Sequence, residues 1–197
     1  MKNWIFTIAF CSTLSLSFAQ STFTKTKLEE AIFTKDFLFK QEIFTVENIP
    51  NFRIDAVKIT NLENFNSTSG LRIVHRIPIG KELKIVYNYI DAQEIDGLAM
   101  TLQYMKTILK SKTIPNNYTE IKFTTISGFQ LALSTILNDQ NKLDWSFVVQ
   151  TNIANERTTV QLSFDDIDKL QKTIAQAKSK IWFSAIKPKQ IERRIIV

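Results

Sequence analysis

Two stretches of this sequence carry the same helical signature, and each follows a run of strand-like patterns. In the first, Asp91 opens a helix with Glu94 three residues on, a capping-box spacing, and Ile95, Leu98, Leu102, Met105 and Leu109 fall on one face. In the second, Ser163 and Asp166 take the capping positions, and Ile167, Leu170, Ile174, Ala177 and Ile181 form the stripe. Cap matches cap and stripe matches stripe when Asp91 is laid on Ser163. Amphipathic stripes of this kind must be buried against something.

Alternating and β-branched segments precede both helices. Ala56–Leu62, Leu71–Ile77 and Leu83–Ile90 read as strands before the first, with Asn64–Ser69 and Gly70 as a turn cluster and Pro78 and Gly80 as punctuation. Ile121–Ile126, Phe129–Ile136, Leu143–Gln150 and Thr158–Leu162 read as strands before the second, with Asn138–Asn141 as a turn. The pattern predicts an α+β fold, with an antiparallel sheet of about seven or eight strands and the two helices packed on it. Ser69-Gly70-Leu71 echoes Ser127-Gly128-Phe129, so residues 53–112 and 117–183 are candidate copies of one strands-then-helix unit, the first copy reading one strand short.

The chain has 197 residues, 44% of them hydrophobic, which suits one domain or two small ones. Residues 1–19 read as a signal peptide: Lys2, then an apolar run from Trp4, then small residues at Ser17 and Ala19 that place cleavage before Gln20. The run is too short for a transmembrane anchor, and Phe10 is bulky for a lipoprotein site at Cys11. Residues 20–52 form a Phe-rich segment in which 28–33 reads as a short helix and 37–39 and 43–46 as extended pieces. An α+β domain is expected over 53–183 and a basic tail over 184–197. Export places the protein in the periplasm or outside the cell, and loss of Cys11 with the leader leaves a cysteine-free chain held by packing alone.

One histidine and one cysteine leave little room for metal or nucleophile chemistry. His75 sits in a strand pattern, where a structural residue is the expectation. Asp165, Asp166 and Asp168 are explained by a helix N-terminus, where free N–H groups favour negative charge. Four glycines build no phosphate-cradling loop. Hence no catalytic, cofactor-binding or metal residue is assigned, and no cofactor is expected. Trp145 alternates with Phe147 and Val149 as core, and Tyr87 and Tyr89 share a strand face with Ile85 that reads as a buried face or a stacking platform.

Two surfaces invite partners. Met100, Tyr104 and Ile108 give the first helix a second apolar face where the second has Lys172, Gln176 and Lys180, so a homodimer contact or an internal cover is expected there. Residues 169–197 hold eight basic side chains and one acidic. Of these, Lys187, Lys189, Arg193 and Arg194 lie beyond the helix, interleaved with Ile191, Ile195 and Ile196, and form a candidate anionic-contact patch.

Glu94-Ile95-Asp96-Gly97-Leu98, Asn117-Tyr118-Thr119-Glu120 and Ser127-Gly128-Phe129-Gln130 resemble a family of small exported bacterial proteins of uncharacterised function. That resemblance implies export and assigns no residue a role. The strands-then-helix duplication also resembles the Whirly and PUR-repeat class, which implies single-strand nucleic-acid binding as the alternative. Export and the lack of basic–aromatic interleaving along the strands argue against nucleic acid. The function expected is a non-catalytic exported domain binding an envelope component or a protein partner.

Overall fold

The computed structural model describes residues 24–36 and 38–186, with the side chains of 182–186 left out. The signal segment 1–19 and the four basic residues Lys187, Lys189, Arg193 and Arg194 lie outside the described residues.

Within the described residues two four-stranded antiparallel sheets form, each a simple meander closed by a helix. The first has β1 (Phe39–Ile49), β2 (Phe52–Asn61), β3 (Ser67–Ile79) and β4 (Glu82–Asp91), followed by α2 (Ile95–Ser111). The second has β5 (Glu120–Thr124), β6 (Gln130–Leu137), β7 (Leu143–Gln150) and β8 (Thr159–Leu162), followed by α3 (Phe164–Ile186). A short helix, α1 (Lys27–Phe33), precedes the first meander. The α+β class therefore stands, but the single sheet of seven or eight strands is corrected to two sheets of four. The reason is the connection: hairpins keep each meander in one sheet, whereas the long excursion through α2 carries the chain away from the β4 edge before β5 begins.

The strand that the first unit lacked in sequence comes from the Phe-rich segment. Residues 39–49 form one strand, paired with β2 from Phe39↔Asn61 to Ile49↔Phe52, with a bulge between Thr45 and Glu47. Its polar middle, Lys40-Gln41-Glu42, breaks the alternation and makes one strand read as two pieces. The echo between Ser69-Gly70 and Ser127-Gly128 has no counterpart in the fold. Gly70 lies inside β3, while Gly128, at φ +82°, lies in the turn from β5 to β6.

Both helix caps form as their spacing requires. Asp91 and Glu94 exchange the two reciprocal capping-box bonds at the 3-10 turn that leads into α2. Ser163 and Asp166 do the same before α3, with Asp166 Oδ2 accepting from the Ser163 amide at 3.0 Å. Asp91 has a second task. Its two oxygens also accept from the amides of Lys27 and Leu28, at 2.9 and 3.2 Å, and so cap α1 from across the molecule. Leu28, fully buried, then sits over Gly70, where a Cβ would come within 2.6 Å of its Cδ1. A side chain at Gly70 would also meet the Ile90 carbonyl oxygen, so this glycine is required by space.

The helices tie the two halves into one core. The α3 stripe Ile167, Leu170, Ile174, Ala177 and Ile181 is buried in one cluster with Ile54, Ala56, Leu71 and Ile73 of the first sheet. Here the helix that closes the second meander packs on β1 and β2 of the first. Lys180 Nζ donates to the Thr45 carbonyl at the same contact. Conversely, α2 reaches β5, where Gly97 leaves room for the Phe123 ring. The helices run antiparallel to each other, linked by Lys106–Asp168 at 2.5 Å, Gln171–Gln103 at 2.7 Å and Lys178–Asp96. Leu98, Leu102 and Met105 of α2 join the same cluster as Leu131, Leu133, Phe147 and Val149 of the second sheet.

Candidate functional site

Each sheet turns one face to this core and one face outward. On the first sheet the outward residues of β2, β3 and β4 are Arg53, Asp55, Val57 and Ile59; Arg72, Val74 and Arg76; and Ile85, Tyr87 and Tyr89. The register sets Arg53 beside Val74 and Val74 beside Tyr87, with Asp55 beside Arg72 and Arg72 beside Tyr89 in the next row. The arginines of β2 and β3 thus lie on one face with the tyrosines of the edge strand β4.

Two parts of this face differ. Toward one end, α1 covers it: Leu28, Val57, Ile59 and Tyr89 form a small second cluster with Ala31, Ile32 and Phe39 packed against it. Burial there pushes the Tyr89 phenol above its usual value, while the Arg72 charge pulls the other way. Toward the other end the face is open, and its centre is an ion cluster. Asp55 is fully buried, and one of its oxygens accepts from Arg72 Nη2 at 2.7 Å and Nε at 3.1 Å, and from Arg53 Nη2 at 3.1 Å. Arg53 Nε lies 2.9 Å from the other oxygen without the alignment of a hydrogen bond. One carboxylate with two guanidinium groups leaves a net positive charge, which Asp55 holds in a fixed place. The Arg72 guanidinium also lies 5.5 Å from the centre of the Tyr87 ring, within cation–π range, and Tyr87 is 49% exposed.

Beside the cluster a pocket of about 430 Å³ opens between the β1–β2 turn and β3. Asn48, Asn51, Arg53 and Arg76 line it, with Val74 in the lining as well. Asn51 takes a left-handed backbone, φ +70°, which a turn asparagine tolerates. Guanidinium and amide donors around a small apolar contact suit an anionic group carried on an organic ligand.

The residues singled out from sequence fall elsewhere. His75 points to the other face of β3, buried, with Nδ1 2.9 Å from Thr151 Oγ1; burial lowers its pKa. Next to it on the same face, Asn88 bonds the Ser127 hydroxyl at 2.6 Å and the Ser127 carbonyl at 2.9 Å, so this polar seam joins the two halves. Of the aspartates in the first turns of α3, Asp165 is exposed, Asp166 caps the helix, and the Lys106 ammonium holds Asp168 below the usual carboxylate range. No group of three His, Cys, Asp or Glu among the described residues is placed to hold a metal ion. Trp145 is buried in the core, its Nε1 donating to the Thr113 carbonyl. On α2, Met100 and Tyr104 are 72% and 59% exposed, while Ile108 is packed against the main cluster. No helix among the described residues is long and apolar enough to cross a membrane.

Arg53, Arg72 and Arg76 were not legible as a site because they sit on two strands and join only through register. The one local signal is Asp55, a carboxylate inside the otherwise apolar run of Phe52–Ile59, which demands a cationic partner. No protein-family model matches the chain, and no significant similarity to a curated protein or to a solved structure was found.

Proposed function

We propose that this is a non-catalytic exported domain that holds an anionic component of the cell envelope on the open face of its first sheet. The observation that supports it is the Arg53–Asp55–Arg72 cluster beside Tyr87 and the pocket. A buried carboxylate is costly unless paired, and here its partners keep excess charge facing outward, a design suited to binding more than to stability. Export rests on the leader-like residues 1–19, and the basic residues Lys187, Lys189, Arg193 and Arg194 would add long-range attraction to the same class of ligand.

The test is salt-dependent sedimentation with the native envelope fraction. Arg53→Gln with Arg76→Gln should reduce it severalfold, whereas Lys122→Gln, on the outward face of the second sheet, should not. Equal loss from both would mean that net charge alone decides binding. N-terminal sequencing of the natively made protein should begin at Gln20, and an intact Met1 would remove export from the proposal.

A second reading is single-strand nucleic-acid binding, favoured by arginines on β2 and β3 sharing one face with the tyrosines of β4. Steeply salt-dependent binding of short oligonucleotides, lost in Tyr87→Ala, would select it over the first.

A further inference from the structure

The β3–β4 hairpin outruns its sheet. Pairing of β2 with β3 ends at Phe52↔His75, yet β3 and β4 continue through Arg76↔Ile85, Ile77↔Lys84, Pro78↔Leu83 and Ile79↔Glu82. Residues 76–85 therefore project as a two-stranded arm. Its turn is Gly80-Lys81, with Gly80 at φ +61°, the first central position where a two-residue hairpin wants glycine. The pair closing such a turn is hydrogen-bonded, so Pro78–Leu83 is the open pair and the missing proline N–H points away from β4.

On the arm's outward face, Leu83 and Ile85 are 59% and 46% exposed, in line with Tyr87 along β4, and Pro78 lies beside Leu83. Ile79, at the turn, is 41% exposed. Arg76 stands beside Ile85 on this face and Lys81 sits at the turn, while Lys84 and the one acid, Glu82, lie on the opposite face with Ile77 and Ile79. Ile77, on the inner face, is buried at 4% exposure, so the arm rests on the body through that residue while its outward apolar strip stays uncovered. Pairing of β4 with β4 of a second copy about Ile85 would set Lys84 diagonal to its own counterpart, a repulsive arrangement. An acidic polysaccharide would meet the cations and leave Leu83 and Ile85 in water. Only a surface that is apolar within and anionic at its rim answers both.

We propose that the 76–85 arm docks turn-first on an anionic lipid bilayer surface, Leu83 and Ile85 on one side and Ile79 on the other entering the headgroup boundary, with Lys81 at the turn, Arg76 beside Ile85 and Lys84 on the opposite face meeting phosphates. This rests on the reading of the first sheet as an anion-binding face and names the lipid as the anion. The molecule contains its own control. The β6–β7 hairpin also runs past its neighbour, since β5 pairing ends at Ser134, and Ile136 and Leu137 are 45% and 65% exposed there. It carries Asp139 and Asp144 against Lys142, the opposite charge balance.

Protein purified from its native host is sedimented with vesicles of phosphatidylcholine alone or containing phosphatidylglycerol. The wild type should bind only the anionic vesicles. Leu83→Ser with Ile85→Ser should weaken that binding ~10-fold, as should Lys81→Gln with Lys84→Gln, while Ile136→Ser with Leu137→Ser leaves it unchanged. Near-UV circular dichroism from the buried Trp145 checks the fold of each variant. Binding that ignores the arm variants overturns the proposal. So does a dimer that the Leu83/Ile85 variant dissolves without any vesicle binding. If the protein ignores vesicles but still sediments with the envelope through Arg53 and Arg76, the lipid assignment fails and the anion-binding face stands; if neither is seen, both fail.

Discussion

Across the first sheet the outward rows read Asn48–Arg53–Val74–Tyr87 and Thr45–Asp55–Arg72–Tyr89. Across the second they read Glu120–Ser134–Ser146, Lys122–Ala132–Val148–Gln161 and Thr124–Gln130–Gln150–Thr159. Both faces belong to four-stranded meanders closed by a helix. One is built from charges locked in place and aromatic rings, partly roofed by α1; the other from serines, threonines, glutamines and small apolar residues with one exposed ion pair, Lys122–Glu120 at 3.0 Å, on its edge strand. A sheet that only had to cover a core would resemble the second. Sheet-forming propensity explains neither Asp55 nor the arginines around it, so the chemistry of the first face is an addition to the scaffold. The shared core makes that addition affordable, because each sheet leans on the helix of the other half.

Removing the centre of the first face should cost most. Asp55→Ala leaves two guanidinium groups at a half-covered surface without their carboxylate, and should destabilise by about 3–5 kcal/mol in urea denaturation. The counterpart change on the second face, Ser146→Ala, breaks a single long contact from Gln161 at 3.4 Å and should cost no more than about 1 kcal/mol. Equal costs would dissolve the distinction between the faces.

Next comes the core that both sheets share. Leu102→Ala and Leu170→Ala should each cost about 2–5 kcal/mol, since both side chains are fully buried in the same cluster. Unfolding followed by Trp145 fluorescence, in the second sheet, should coincide with loss of far-ultraviolet dichroism from the whole chain. Two separate transitions would mean that the halves are independent and the comparison is one between two domains.

The seam between the halves supplies a smaller, pH-dependent effect. His75 is buried with its pKa lowered, whereas the unfolded chain takes up its proton near 6.5. Protons therefore favour the unfolded state as pH falls below about 6.5, and stability declines until the lowered folded value is passed. His75→Asn should flatten that decline in melting temperature, and an unchanged pH profile would show that the seam does not titrate. The smallest effect is expected on the second face itself, where Gln130→Ala and Gln161→Ala should stay within about 0.5 kcal/mol.

Much of the scaffold is legible in the sequence and little of the face is. The stripes Ile95–Leu109 and Ile167–Ile181 and their caps read correctly because helical periodicity is local. β7 reads residue for residue because Leu143–Gln150 is flanked by turn chemistry. β1 does not, because a bulge and a polar middle interrupt its alternation. That the strands divide into two sheets is set by how α2 and α3 trade places, which is a tertiary fact with no local trace. The face is hidden for the same reason: Arg53, Asp55, Arg72 and Tyr87 become neighbours only when three strands take their register.

The bond from Asp91 to the start of α1 sets a limit on how the chain can be trimmed. A seven-residue helix has no standing of its own, and this one is held by a carboxylate more than sixty positions downstream and by Leu28 over Gly70. Val57, Ile59 and Tyr89 lie beneath it. Any protease that matures the N-terminus must therefore stop before Thr26, whose hydroxyl and amide complete the helix cap with Glu29. A cut a few residues later would strip the roof from an apolar half-sheet and turn a soluble surface into an adhesive one.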